Sequence, residues 1–132
     1  MHHYTRIQTD PKRIHPPAGA YAHGIKTGNL LFVAGQVSMN TDSMIVHPND
    51  PKAQFRLIMD NIITVVESAG GKVTDIIKIL AFMENMDHLQ DFQDVLNEYF
   101  KEGYPTVTLV EVSRLAVKDM LMEAEAVAVI PD

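Results

Sequence analysis

The stretch Leu30-Leu31-Phe32-Val33-Ala34-Gly35-Gln36 decides how this chain folds. It is an apolar strand that ends in a glycine and an amide. Residues 21–26 predict a second strand, and Thr27-Gly28-Asn29 joins the two as a hairpin-type turn. Gly35 indicates either a close approach of the backbone to a ligand or a tight turn. The sequence therefore predicts an antiparallel hairpin whose closing end is a candidate ligand site.

Length and composition indicate one soluble domain. The chain has 132 residues, 46% of them hydrophobic and 21% charged, which suits a single globular domain spanning residues 1–132. Its apolar runs are too short to cross a membrane. The N-terminal segment Met1-His2-His3-Tyr4-Thr5-Arg6 lacks the apolar core of a signal peptide, so we expect a cytoplasmic location.

Charge and residue types exclude several classes of function. The absence of cysteine excludes disulfides and thiolate chemistry. A net charge of −6 with scattered basic residues disfavours a nucleic-acid partner. The histidines have no paired helical spacing, so no metal site is predicted. His23 is interpreted as a hydrogen-bonded surface residue, although its intrinsic pKa suits proton transfer.

Two helices follow from capping and periodicity. Asp50-Pro51 predicts a helix start, and Gly70-Gly71 predicts its end. Asp87 and Gln90 resemble a capping box that begins a second helix, which stops near Gly103. The methionines, among them Met39, Met44, Met83 and Met120, are expected to fill the core.

The remaining segments predict strands at 4–8, near 44–46, at 74–83, at 106–113 and at 121–130. The order β-β-β, helix, β, helix, β-β predicts an α+β sandwich, in which a mixed, mainly antiparallel sheet carries both helices on one face. The other face would expose apolar residues, and this predicts oligomerisation.

A set of short motifs resembles the RidA/YjgF family, also called the reactive-intermediate deaminase or L-PSP family. They occur in the family's order and spacing from about residue 15 to 129. These motifs are Gly19-Ala20-Tyr21, Gly28-Asn29-Leu30, Ala34-Gly35-Gln36, Asn61, Ala69-Gly70, Asp91-Phe92, Tyr99, Pro105, Val110-Glu111-Val112, Arg114-Leu115 and Glu123-Ala124-Glu125-Ala126.

The resemblance implies a chorismate-mutase-like protomer that assembles as a homotrimer, with the helices outside and the sheets forming a central barrel. It implies a small-molecule cleft at each subunit interface. It also implies cofactor-free hydrolysis of 2-imino acids, such as 2-iminobutanoate and 2-iminopropanoate, to 2-keto acids and ammonia. Neither a nucleic acid nor a membrane is expected as a partner.

Three ligand positions depart from the deaminase pattern. In the deaminases an arginine two residues after a proline anchors the substrate carboxylate, and Val107 occupies that position here. Ala34 replaces a serine. Leu96 replaces an asparagine, although its place in an apolar stripe also indicates core packing. A valine cannot make the bidentate contact of a guanidinium. Arg114 is interpreted as a surface or interface ion-pair residue on the same strand, facing the other way.

Other site residues match the family. Glu123 corresponds to the glutamate that orients the attacking water, and we assign it as the candidate catalytic residue. Glu125 shares its strand face, but carboxylates on strands also form cross-strand salt bridges. Tyr21 corresponds to the cleft tyrosine, with a half-buried strand aromatic as the alternative. Gly35 corresponds to the glycine of the cleft.

Three functions remain open from the sequence. The first is a deaminase-like hydrolase of an imine or enamine, with weak or absent activity on 2-iminobutanoate. The second is a non-catalytic trimeric protein that binds or responds to a small molecule. The third is the endoribonuclease or translation-inhibitor role associated with the family, which the acidic charge disfavours most.

Overall fold

The computed structural model describes residues 3–131; Met1 and His2 of the N-terminal segment, and Asp132, lie outside the described residues. A six-stranded sheet and two helices form the fold, in the order β-β-β-α-β-α-β-β. The strands are β1 (Thr5–Arg6), β2 (Gly24–Thr27), β3 (Leu30–Gln36), β4 (Ile76–Met83), β5 (Thr106–Glu111) and β6 (Met122–Val129), and the helices are α1 (Pro51–Ser68) and α2 (Leu89–Tyr99).

The strands lie in the order β1-β2-β3-β6-β4-β5. All neighbours are antiparallel except β4 and β5, which are parallel and joined through α2. The predicted α+β class and mixed, mainly antiparallel sheet are therefore confirmed. Of the predicted strand near 44–46, only an isolated bridge between Met39 and Ile45 forms.

The β2–β3 hairpin forms at the predicted turn. Thr27 pairs with Leu30, and Gly28 has a φ of 58°, a left-handed conformation that favours glycine. The predicted start of β2 at residue 21 is wrong. Tyr21 N–H instead donates to the Gly19 carbonyl at 3.0 Å, so this segment turns before the strand begins at Gly24.

The predicted extent of the strand at 106–113 is also wrong. β5 ends at Glu111, and the chain then turns away, with Leu115 N–H donating to Glu84 Oε1 at 2.6 Å. Arg114 therefore lies exposed in a loop after the strand. Within residues 3–131 it forms no ion pair.

Helix α1 begins as predicted, because Asp50 Oδ1 accepts the Ala53 N–H at 3.0 Å. The predicted capping box of α2 is wrong. Asn85 caps a preceding 3-10 turn (Met86–His88) by accepting the Asp87 N–H at 2.9 Å, and Gln90 donates to Asp94 at 2.8 Å. Since Asn85 supplies an acceptor two residues earlier, Asp87 lies inside the turn and caps nothing.

The core lies between the helices and one face of the sheet. Helix α1 packs on β3 and β6, and Phe55 of α1 meets Phe92 of α2 with ring centroids 4.6 Å apart. Met83 is buried there as predicted, but Met44 lies in a loop and is 60% exposed. Among the described residues no helix is both long and apolar enough to span a membrane.

The strand alternation divides β6 between two environments. Its even-numbered residues, from Met122 to Ala128, are buried beneath the helices, and its odd-numbered residues lie on the other face. That second face also carries Phe32, which is 49% exposed. Glu123 and Glu125 thus emerge on the side of the sheet that no helix covers.

Candidate functional site

A cleft of about 450 Å³ lies where the end of β3 meets the beginning of β6. It combines apolar walls with a few polar groups, as small-molecule sites do. The lining residues are His15, Ala18, Gly19, Tyr21, Ala34, Gly35, Gln36, Val37, Met39, Ala116, Val117, Met120, Glu123 and Glu125.

Gly35 is required by a close approach to Glu123. The register between β3 and β6 shifts between Val33 and Gln36, so the strand is irregular at this point. A Cβ on Gly35 would lie 3.0 Å from Glu123 Cδ and 3.2 Å from Cγ. Because Gly35 lies within β3 and its φ is not positive, contact with the glutamate, not a tight turn, explains the glycine.

Glu123 is the titratable group that its surroundings perturb most clearly inside the cleft. Burial raises the pKa of its carboxyl above the ordinary value of 4.5, and the nearby charge of Glu125 raises it further. The cross-strand salt bridge considered for these carboxylates does not form, since neither has an ion pair within residues 3–131. A carboxylate of raised pKa in a cleft is suited to accept and return a proton.

Tyr21 also lines the cleft. Its hydroxyl accepts the Ala18 N–H at 3.1 Å, which leaves the phenolic proton available for donation. Its ring lies edge-on to His23, with centroids 6.0 Å apart. The side chain is 44% exposed, so the alternative of a half-buried strand aromatic is replaced by a loop tyrosine at the mouth of the cleft.

His23 is not the surface residue that the sequence suggested. It is 2% exposed, and its ring contacts His15 with centroids 5.0 Å apart. Burial is the main reason that the pKa of its imidazole falls below the ordinary value; a hydrogen bond to the His15 carbonyl opposes this, and the proximity of His15 lowers the pKa further. A buried neutral histidine therefore lies behind the cleft wall.

Two polar residues of α1 form hydrogen bonds with the backbone of the segments that line the cleft. Gln54 is fully buried; it donates to Asp119 O at 2.7 Å and accepts from Leu121 N–H at 2.9 Å. Asn61 donates to Met39 O at 3.1 Å. Met39 and Met120 are buried as predicted, but in a small cluster beside the cleft and apart from the main core.

Two of the predicted ligand positions lie elsewhere in this chain. Leu96 is 6% exposed and belongs to the main core, as the core-packing interpretation expects. Val107 lies on β5 and is 38% exposed. Val107 pairs with Ile79 and Glu123 with Phe82; residues 79 and 82 of one strand face opposite sides, so Val107 and Glu123 do as well.

The structure thus brings together Tyr21, Ala34, Gly35 and Glu123, and it leaves Leu96 and Val107 outside the cleft of a single chain. The sequence interpretation missed His15 and Gln54, and it assigned no role to the Gln36 side chain, although Gln36 belongs to the Ala34-Gly35-Gln36 motif that marks the site. For Gln54 a signal existed, because it occupies the core-facing stripe of α1 at helical spacing before Ile58 and Asn61. No group of three potential metal ligands lies together within residues 3–131.

Residues 12–130 match the family model described as endoribonuclease L-PSP. The chain belongs to this family, the RidA/YjgF family of the sequence resemblance. A RutC family protein of Pyrococcus horikoshii is 39% identical over 112 residues, covering 85% of this chain and 88% of that protein. The 2-iminobutanoate/2-iminopropanoate deaminase of Escherichia coli is 36% identical over 114 residues, covering 84% and 88% of the two chains.

Solved structures of the RidA family share the fold. The crystal structure of E. coli TdcF with bound serine superposes with a TM-score of 0.87 at 32% identity, covering 96% of this chain and 99% of that one. The YjgF gene product of E. coli gives a TM-score of 0.84, also at 32% identity, with 95% and 98% coverage.

Proposed function

We propose that this RidA-family protein hydrolyses the C=N bond of a small imine, formed directly or by tautomerisation of an enamine, whose binding does not depend on an arginine-held carboxylate. The observation that carries the proposal is Glu123, a carboxylate of raised pKa that lies against Gly35 in the cleft. Family membership and similarity to imine deaminases support the same reaction class.

The proposed chemistry needs water and one carboxylate. Glu123 accepts a proton from water as the oxygen adds to the imine carbon, and the nitrogen gains a proton as the C=N bond becomes a single bond. The first proton on nitrogen comes from the solvent. Glu123 then returns its proton to the amino nitrogen, the added hydroxyl gives its own proton to the solvent, and the C–N bond breaks, so that ammonia leaves as the carbonyl compound forms. Tyr21 is placed to donate a hydrogen bond within the same cleft. No cofactor is required for these steps.

Activity on 2-iminobutanoate is proposed to be weak or absent. Val107 offers no charged hydrogen bond at the position of the deaminase arginine, and such a bond contributes about 1.5–3 kcal/mol. Its loss corresponds to roughly one to two decades in affinity. Ala34, which replaces a serine, removes a further hydroxyl from the cleft.

We also propose that the single 1–132 domain functions as a cytoplasmic homotrimer. Val107 and Glu123 face opposite sides of the sheet, so they can line one site only if two copies of the chain meet. The uncovered sheet face, with exposed Phe32, offers an apolar surface for such a contact. A ligand would then lie at the subunit interface.

The test compares two imines that differ in the carboxylate. An amino-acid oxidase generates 2-iminobutanoate from 2-aminobutanoate, and a flavin amine oxidase generates 1-iminobutane from butylamine. We expect the protein to accelerate carbonyl release from 1-iminobutane, and to act on 2-iminobutanoate at least about tenfold less well than the E. coli deaminase does. Turnover of 2-iminobutanoate equal to that of the E. coli enzyme would contradict the proposal.

A second candidate is a non-catalytic small-molecule-binding protein. The apolar wall of the cleft, which includes Val37, Met39 and Met120, favours binding as well as catalysis, and the related TdcF was crystallised with serine bound. Acceleration of neither imine, together with measurable ligand binding, would favour this candidate. An endoribonuclease role fits least well, because the cleft lining formed by the described residues carries two carboxylates and no lysine or arginine.

A further inference from the structure

Two buried hydrogen-bond acceptors occupy the lining of the cleft. His15 is 2% exposed and Gln36 is 1% exposed, and both line the cleft that holds Glu123. His15 Nε2 and Gln36 Oε1 are buried atoms that receive no hydrogen bond from residues 3–131. Buried polar atoms normally have a partner, so this pair points to a ligand that supplies hydrogen-bond donors.

The orientation of the Gln36 amide follows from its neighbours. The Gln36 nitrogen lies 3.3 Å from the Ala34 carbonyl oxygen, which can only accept, so the amide NH₂ faces that oxygen and the His23 ring. Gln36 Nε2 also donates to His23 Nδ1 at 3.1 Å. Oε1 is thereby left as an acceptor directed away from these two partners.

The same reasoning fixes both imidazoles. His23 Nε2 lies 2.8 Å from the His15 carbonyl oxygen, so it carries the proton and its Nδ1 is the acceptor for Gln36. His15 Nδ1 lies 2.7 Å from the Pro16 carbonyl oxygen, so Nδ1 is the protonated nitrogen of His15. In the neutral ring, His15 Nε2 is therefore a bare acceptor. The two histidines are opposite tautomers held by one chain of hydrogen bonds.

The charged groups of the cleft also favour a ligand that supplies hydrogen-bond donors. Within residues 3–131 its lining includes the carboxyl groups of Glu123 and Glu125 and no lysine or arginine. Two acceptors and two carboxylates in the lining of one cleft disfavour an anionic group and favour a cation that carries N–H donors. A carboxylate placed here would meet acceptors only.

We propose that His15 Nε2 and Gln36 Oε1 form a subsite for a cationic nitrogen group with N–H donors, such as an amidinium or a protonated imine, with Glu123 and Glu125 as its counter-charges. The inference rests on the proposed function, because it uses the same cleft. It deepens that function by assigning recognition to the nitrogen end of the substrate in place of the carboxylate. His15 acts here as a ligand-binding residue.

Butyramidine and butanoate are matched probes, since they have the same carbon skeleton and differ in a donor-bearing cation and an acceptor anion. Calorimetric titration of the full chain is expected to show butyramidine binding at least about tenfold more tightly than butanoate. Equal binding, tighter binding of butanoate, or no binding of butyramidine would overturn the proposal.

Nitrogen NMR of the ¹⁵N-histidine-labelled protein tests the atoms directly. Without ligand, long-range spectra are expected to show His15 protonated at Nδ1 and His23 protonated at Nε2. Butyramidine should shift the His15 Nε2 resonance upfield, as expected for an acceptor that gains a hydrogen bond, and leave the His23 resonances in place. Binding without this shift would overturn the assignment, and the measurement needs no mutant.

The variant His15→Leu should lose most of the preference for butyramidine. His88→Leu is the matched control, because His88 Nδ1 is also buried without a partner among the described residues but lies in the 3-10 turn outside the cleft; this variant should bind both probes as the wild type does. If butyramidine binds through His15 while neither imine is turned over, the subsite stands and the hydrolase proposal fails. If 1-iminobutane is turned over but butyramidine does not bind, the hydrolase proposal stands and the subsite proposal fails.

Discussion

The cleft end of β3 and the outer edge of the sheet at β5 differ in what they offer a ligand. At the cleft, Gly35 admits the Glu123 carboxyl against the backbone, and burial raises the pKa of that group. At the edge, Val107 and Val110 are each 38% exposed and carry no polar atom in their side chains. Under the proposed function, the cleft supplies the group that transfers protons, and β5 lacks a charged group to anchor a carboxylate. The two properties can be tested separately.

The largest effect is expected from Glu123→Gln, which removes the proton acceptor from the cleft. General acid–base groups contribute about 10²–10⁴-fold to rate, so kcat/KM for 1-iminobutane should fall by at least about a hundredfold. The measurement is the initial rate of carbonyl release above the uncatalysed background.

Glu98→Gln is the control for this change, since Glu98 pairs with Arg56 on the helix surface at 2.8 Å and lies outside the cleft. Its activity should match that of the wild type. An active Glu123→Gln variant would assign the proton transfer to another group and would contradict the proposed role of Glu123 in the cleft.

The next effect concerns the β5 edge. Val107→Arg restores a guanidinium at the deaminase position, and a charge-assisted pair of about 1.5–3 kcal/mol should raise kcat/KM for 2-iminobutanoate by roughly tenfold to a hundredfold. Activity on 1-iminobutane should not rise, because that substrate has no carboxylate to bind.

Val110→Arg is a close match for exposure and strand, but residue 110 faces the opposite side of β5 from residue 107. It tests whether added positive charge alone attracts the anionic substrate. An equal gain in both variants would remove the argument that position 107 is the anchor site.

The sequence predicts the secondary elements because their signals are local. The Gly28 turn, the Asp50 cap of α1 and the apolar stripes all depend on residues a few positions apart, and each forms as expected. The start of α2 is wrong for a local reason too, since Asn85 competes with Asp87 as the cap. The end of β5 depends on a contact between Leu115 and Glu84, which lie 31 positions apart in sequence.

The site was predictable only where a family motif covers it. Glu123, Gly35, Tyr21 and Gln36 belong to motifs and lie together at the cleft. The hydrogen bonds that join Gln36 to His23 and His23 to His15 connect residues that no periodicity relates. His23 follows an exposed tyrosine and an alanine in sequence, and its buried ring contacts His15 and Gln36, which lie 8 and 13 positions away. Such a contact is a tertiary property, and composition does not reveal it.

A smaller effect is expected from Gly35→Ala. The added Cβ would lie 3.0 Å from Glu123 Cδ, so the carboxyl must shift by a few tenths of an ångström. Since misplacement by about 1 Å costs on the order of a hundredfold, we expect kcat/KM for 1-iminobutane to fall by about tenfold while the fold persists.

Gly19→Ala tests the same substitution at another glycine that lines the cleft. Its Cβ would lie 3.7 Å from the Tyr21 ring, an ordinary contact that displaces nothing, so this variant should keep near-normal activity. If the two variants lost activity equally, the specific contact between Gly35 and Glu123 would not explain the loss.

The smallest effect is a change in pH dependence on replacing Glu125. Burial is the larger cause of the raised Glu123 pKa, and the charge of Glu125 is the smaller. Because the proposed hydrolysis requires ionised Glu123, activity should rise with pH on a limb that lies above the ordinary carboxyl pKa of 4.5. Glu125→Gln removes the smaller cause, so this limb should move to lower pH, with a several-fold gain in kcat/KM on its acidic side and little change at the plateau.

The negative charge of Glu125 should also lower the free energy of unfolding, because it adds to the raised pKa of Glu123. A carboxyl whose pKa is higher in the folded state than in the unfolded state binds its proton more tightly when folded, so Glu123 lowers the free energy of unfolding as pH rises from 4.5 through the raised pKa. Glu125→Gln relieves part of this loss, and urea unfolding at neutral pH should show a small gain. Glu67→Gln is the control, since it removes a negative charge that pairs with Arg13 on the surface of α1. It should leave the acidic limb of the pH–activity profile unchanged. A limb that moved to higher pH in Glu125→Gln would mean that the Glu125 carboxylate stabilises ionised Glu123, contrary to the repulsion inferred from their shared strand face.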